Sequence, residues 1–301
     1  MLFLLACTVV PPEKETPADS VDTGDTDTPA DTHEETDTDT DTDTDTDTDT
    51  DSDTDTDTDS DTDADTGTVD TAASPYAATW CHTLVEGDGD VLLVVVDMAT
   101  GSWVEQDRWS GFASGFHTGG LATDGTSWVF PGYDGNNFSW YSVDAATGVV
   151  TTGADAGYAV TVGWSGSDWV TVDTYEGKLD SYASFADLSA HSPSASVDAR
   201  GFTRLGIDGT DVYGAWHSTH EVDVYDLGTG GYMRSITLDD WDTWVWGVSV
   251  AGGKLHLIDD GRQYPDYRIQ SFDQTTGTMV ERVFPTVPGR PSGLWCSTTP
   301  P

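Results

Sequence analysis

Residues 118–148, TGGLATDGTSWVFPGYDGNNFSWYSVDAATG, carry two kinds of punctuation in a fixed order. An apolar stretch leads into a glycine, a tight Asp-Gly-Thr turn follows, two strand-like runs come next, and an Asp-x-x-Thr-Gly turn closes the segment. The run SWVFPGYD alternates apolar and polar residues as a half-buried strand does. Asp-Gly-Thr tolerates the positive φ of a tight hairpin. DAATG suits a second hairpin, with Asp capping the turn and Gly in the left-handed region.

The order recurs in TVGWSGSDWVTVDTYEGKLDSYASFADLSA (161–190), RLGIDGTDVYGAWHSTHEVDVYDLGTG (204–230) and VWGVSVAGGKLHLIDDGRQYPDYRIQSFDQTTG (245–277). A fifth copy is split. WCHTLVEGDGDVLLVVVDMATGSWVEQ (80–106) lacks a leading strand, and SGLWC (292–296) is a leading strand with nothing behind it. The leading glycines Gly120, Gly163, Gly206, Gly247 and Gly293 are spaced by 43, 43, 41 and 46 residues. A four-stranded antiparallel unit of this length is one propeller blade. Residues 75–301 are therefore expected to form an all-β, five-bladed β-propeller. Pairing of the C-terminal strand with the N-terminal blade would close the ring and remove two exposed edges. The leading glycine falls on the innermost strand, where backbones crowd beside the channel.

The signature GLATDGTSW (120–128) followed by DAATG (144–148) resembles bacterial propeller repeats. Those repeats include NHL-like and quinoprotein-like propellers and, at a distance, the five-bladed plant-type glutaminyl cyclase. The resemblance spans residues 75–298 and implies a blade, not a chemistry. The cyclase FGEG stretch does not occur here, and none of its catalytic residues is carried over.

Upstream the composition changes. Leu4-Leu5-Ala6-Cys7 resembles the bacterial lipobox, which implies lipidation of Cys7 and removal of residues 1–6. Thr8 in place of Asp after the cysteine implies outer-membrane retention, so the expected location is the bacterial outer membrane or cell surface. Six uncharged residues before the cysteine are shorter than a secretory signal's apolar core, and the true signal is expected to begin upstream of Met1. Residues 1–7 are thus a signal remnant, and residues 8–74 a disordered tether. Residues 36–66 are almost pure Asp-Thr alternation, with mutual repulsion and no apolar side chain to offset ordering entropy. The alternation mimics a calcium loop from Asp61, but Thr66 and Ala72 stand where an EF-hand needs Gly and Glu. Loose counter-ion binding is all it supports, and the threonines are open to O-linked sugar.

The chain has a net charge of −43, and 25 of its 54 acidic residues lie in residues 11–74. The domain is acidic as well, which argues against nucleic acid or an anionic lipid surface as partner. Membrane contact is expected through the lipid anchor only, and the domain is expected to be a monomer.

With Cys7 assigned to lipid, Cys81 and Cys296 remain. A hairpin register places them opposite each other, and beyond the inner membrane the compartment is oxidising, so a disulfide is expected. The alternatives are two buried thiols or a reactive cysteine, but His82 points to the opposite face from Cys81. Residues just before the leading strands collect at the channel mouth: His117, Arg204, Trp244 and Arg290, with Trp241 and Trp246 nearby. Two arginines and a histidine there would bind a carboxylate or other anion. Against this, the arginines would pair with local Asp residues and the tryptophans would pack between blades. His217 and His220 are metal candidates with Glu221 or Asp223, although paired histidines in a polar loop are ordinarily solvated. Asp88 and Asp90 with Glu86 would hold Ca²⁺, or form an ordinary Asp-Gly hairpin. No cofactor is predicted beyond that Ca²⁺. No Walker loop, Gly-x-Ser-x-Gly elbow or His-Glu-x-x-His occurs. The 12 tryptophans mostly occupy alternating strand positions and are assigned to the core.

These features point to a binding or scaffolding module for a protein, glycan or small anion. The competing class is an enzyme at the channel mouth, glutaminyl-cyclase-like or a hydrolase.

Overall fold

The computed structural model describes residues 76–86, 89–112, 117–133, 137–157, 159–216, 220–241, 244–259 and 267–301. Cys7, the Asp-Thr tether, Asp88 and His217 lie outside them. The described residues form five antiparallel sheets, each a blade. The first runs outward from Arg290–Ser297 through Trp80–Glu86 and Asp90–Asp97 to Trp103–Ser110. The second has an inner strand in two pieces, His117–Thr118 and Ala122–Thr123, followed by Ser127–Tyr133, Phe138–Asp144 and Val150–Asp155. The third comprises Val162–Trp164, Trp169–Asp173, Lys178–Tyr182 and Ala195–Asp198. The fourth comprises Arg204–Asp208, Asp211–Ala215, Glu221–Asp226 and Tyr232–Thr237, and the fifth Val245–Ala251, Lys254–Asp259, Ile269–Asp273 and Met279–Val283. The inner strands pack side by side around a ring, and Arg290–Ser297 touches the inner strands of both the second and the fifth blade.

The leading glycines explain how the blades come so close. A Cβ placed on Gly247 would lie 2.7 Å from Leu294 Cβ and 2.8 Å from the Leu294 backbone nitrogen. Gly163 meets Leu205 and Ile207, Gly206 meets Ser249, Gly120 meets Thr161, and Gly293 meets Gly120, so each glycine admits the next blade. Gly247→Ala should destabilise the domain by roughly 2 kcal/mol or more, because backbone rather than a flexible side chain must shift. An unchanged urea midpoint for this variant would remove close approach as the reason for the glycine.

The Asp-x-x-Thr-Gly turns behave as their chemistry dictates. Asp144 Oδ1 accepts the Ala146 and Thr147 backbone N–H groups at 3.1 and 2.8 Å and the Thr147 hydroxyl at 2.7 Å. Gly148 then takes φ 68°, and the same pattern recurs at Asp226 and Asp273. The third blade departs from the expectation. Its last two strands are joined through a helix, Phe185–Ser189, whose Ser184 cap accepts the Asp187 N–H. DTYEG (173–177) instead turns between its second and third strands.

The half-buried reading of the strands also needs correction. Every position from Val91 to Val96 is buried, as is every position of Lys254–Asp259. A blade is covered on both sides by its neighbours, so the polar alternate positions face another sheet rather than water. Some bond within their own blade: the Thr83 hydroxyl donates toward the Ser292 and Gly293 carbonyls of the adjacent inner strand at 3.2 and 2.8 Å. Only outer strands such as Val150–Asp155 present a solvated face.

Cys81 lies opposite Cys296 in the ladder, and the two form a disulfide of 2.07 Å. It is buried among Met98, Ile258, Ile269 and Leu294. At the start of the described domain, the Tyr76 hydroxyl donates to Asp273 Oδ2 at 2.8 Å, fixing the first residue to the fifth blade. The Thr276 backbone N–H of the turn, then this bond and the Thr275 N–H, hold the Asp273 carboxyl down at about 2.

Candidate functional site

Arg204, Trp246 and Arg290 each lie at or near the start of an innermost strand, so the ring brings them to one end of the channel. Arg204 is buried, with Nε donating to the Trp246 carbonyl at 3.1 Å and Nη1 to the Thr203 carbonyl at 2.6 Å. Its guanidinium carbon lies 5.0 Å from the centre of the Trp246 ring, and that of Arg290 lies 4.4 Å from the same ring. Cation–π contact lets one indole hold two like charges close together. The expected convergence of Arg204 and Arg290 is therefore present, with Trp246 as the shared platform. Glu86 is the ladder partner of Arg290. Trp244 precedes the platform by two residues and is 38% exposed. His117 pairs with Tyr133 in its ladder at the beginning of the second blade's inner strand.

Trp241 goes elsewhere. It is buried in the core edge-on to Phe272, with Arg268 at 5.8 Å above it. Arg268 and Asp259 form a buried ion pair at 2.6 Å that the sequence did not announce.

Deeper in the channel, Leu121, Val162, Leu205, Val248 and Leu294, with Ser249, line a void of about 40 Å³, and among the described residues no titratable side chain lines it. The weak metal candidates fare differently. His220 is exposed, while Asp223 accepts hydrogen bonds from Tyr225 and Ser235 and pairs with Arg200 at 3.6 Å. Asp90 pairs with Arg108 at 3.4 Å. Among the described residues one trio has metal-ligand geometry, Cys81, His256 and Cys296, and there both sulfurs are committed to the disulfide.

A cavity of about 380 Å³ opens between the first and second blades, among the Asp-Gly-Thr and DAATG turns. Its walls include His82, Gln106, Asp107, Trp128 and Trp295, with the C-terminal residues 299–301 along one side. His82 faces Trp295 in the ladder, on the side of the strand away from Cys81, as the strand period requires. The imidazole centroid lies 5.0 Å from Trp128 and 5.1 Å from Trp295, whose rings meet edge to face at 5.5 Å. Burial pushes the His82 pKa down to about 4, and contacts with Gln106 and the Trp295 backbone only partly oppose this. The ring is therefore neutral at physiological pH. Assigning the tryptophans to core packing concealed this cavity, because Trp128 and Trp295 pack and line a wall at once.

No family model matches the sequence, and no curated protein matches it. Solved structures of similar shape do exist. A chain of a nidogen/laminin complex is 11% identical, with a TM-score of 0.45, and the match covers 72% of this chain and 98% of that one. Kuenenia stuttgartiensis hydrazine synthase is 18% identical with a TM-score of 0.39, over 58% of this chain and 51% of that one. Citrobacter koseri AztD is 14% identical with a TM-score of 0.33, over 71% and 61%. The propeller assignment rests on the blade geometry itself.

Proposed function

We propose that this chain is a lipid-anchored surface protein of the bacterial outer membrane whose propeller is a binding module for an anionic group. Cys7 would carry the anchor, and the Asp-Thr segment would hold the propeller away from the bilayer. The observation that carries the reading is the stacking of Arg204 and Arg290 on a single indole at the channel mouth. In an acidic domain such a cationic locus selects a ligand by charge, and guanidinium groups suit carboxylate or sulfate oxygens.

Calorimetric titration of the full chain with acetate, succinate, citrate and sulfate tests this. Arg290→Ala should weaken binding of the best anion by about tenfold, a difference of about 1.4 kcal/mol. Glu86→Gln should tighten it, because the incoming anion competes with the carboxylate opposite Arg290. Equal affinities for wild type and Arg290→Ala would sink the reading.

A further inference from the structure

We propose that the cavity between the first and second blades is a carbohydrate site that takes a neutral, hydroxyl-rich sugar ring. This site lies among the turns and is built from residues other than the arginines of the mouth. Its volume of about 380 Å³ falls within the ordinary range for small-ligand sites.

The lining chemistry selects the class. The half-buried Trp295, backed edge to face by the buried Trp128, offers a rigid apolar surface that matches the C–H face of a pyranose. Between them stands His82, 4% exposed, with Nδ1 buried inside the wall. Gln106 adds an amide and Thr123 a hydroxyl to the wall.

Asp107 disfavours an anion: among the described residues no Lys or Arg lines the cavity, so nothing there offsets its carboxylate. A quaternary ammonium ion is the competing occupant that this charge admits, but it can donate no hydrogen bond to the carboxylate. Asp107 Oδ1 accepts the Arg108 backbone N–H at 2.8 Å, and Oδ2 accepts Trp109 Nε1 at 2.7 Å. Each oxygen keeps a lone pair for a hydroxyl donor, in an orientation fixed by these bonds.

The test is a titration of the full chain with glucose, galactose, N-acetylglucosamine and cellobiose, followed by tryptophan fluorescence and indole N–H chemical shifts. Tetramethylammonium and sulfate serve as counter-probes. At least one saccharide should shift the indole signals saturably. Gln106→Ala and Asp107→Asn should each weaken it about tenfold while the protein stays folded. Gln106 is exposed, and the amide introduced by Asp107→Asn keeps an oxygen for the buried Trp109 indole N–H and gives up only the bond to the exposed Arg108 backbone N–H, so both variants should fold. Arg290→Ala should leave saccharide binding intact, which separates this site from the mouth. Saturable shifts with tetramethylammonium but none of the sugars would overturn the proposal, as would sugar binding untouched by both substitutions. Absence of any response to the four sugars at tens of millimolar would overturn it as well.

Discussion

Reduced, or carrying Cys296→Ser, the propeller should unfold roughly 10–20 °C below the oxidised protein while keeping its blades. The bridge spans 215 residues, nearly the whole domain, and closing so long a loop is worth up to about 5 kcal/mol in the chain-entropy account. For a domain of this size each kcal/mol moves the midpoint by about 2–4 °C. The fold itself should survive, because the closing ladder runs from Trp80 opposite Ser297 to Glu86 opposite Arg290 without help from the sulfurs. Thr83 adds side-chain bonds to the same strand. Cys296→Ser should cost somewhat more than reduction, since it places a hydroxyl among Met98, Ile258 and Leu294. Reduction and the Cys81→Ala/Cys296→Ala double variant should give similar midpoints by calorimetry. Identical melting curves with and without reductant, in protein whose two thiols titrate fully after reduction, would show that the bridge does not staple the ring.

The architecture was legible because each blade spells out its own turns. Asp144 and Gly148 need no tertiary context to form their hairpin, and the leading glycines mark the ring because nothing larger fits between Gly247 and Leu294. Cys81 and Cys296 followed from register alone. What stayed hidden depends on how blades cover one another. His256 sits at a polar alternate position of KLHLID, which an isolated sheet would expose, yet the neighbouring blade buries it completely. His82, Trp128 and Trp295 are far apart in sequence and meet only because the last strand becomes the inner strand of the first blade. The available signal was the pairing of His82 with Trp295, one step along from the cysteines. The third blade's helix replaces the glycine turn of the other blades, and the residue that follows it in the left-handed region is His191, with φ 50°.

Acidification from pH 6.5 to 5 should cost the domain about 3 kcal/mol, before most carboxylates begin to titrate. His82 and His256 are buried neutral, with pKa values pushed down from 6.5 to about 4 and about 3. Burial is the main cause at both, and at His256 the Lys254 ammonium adds to it. Between 6.5 and these lowered values the unfolded chain binds protons that the folded chain refuses, so stability rises with pH there and is lost as pH falls. Each histidine contributes about half of the effect over this window. The surroundings of His256 reinforce the neutral form: Nδ1 lies 2.7 Å from the Ser271 hydroxyl, which in turn reaches Glu281, itself paired with Lys254 at 2.8 Å. That chain leaves no carboxylate in direct contact with the ring to stabilise an imidazolium. Urea midpoints at pH 6.5 and 5 measure the loss, and His256→Gln should remove about half of it, the remainder belonging to His82. A wild-type midpoint that does not move over this interval would mean that at least one imidazole accepts its proton within the fold, and that water reaches it between the blades.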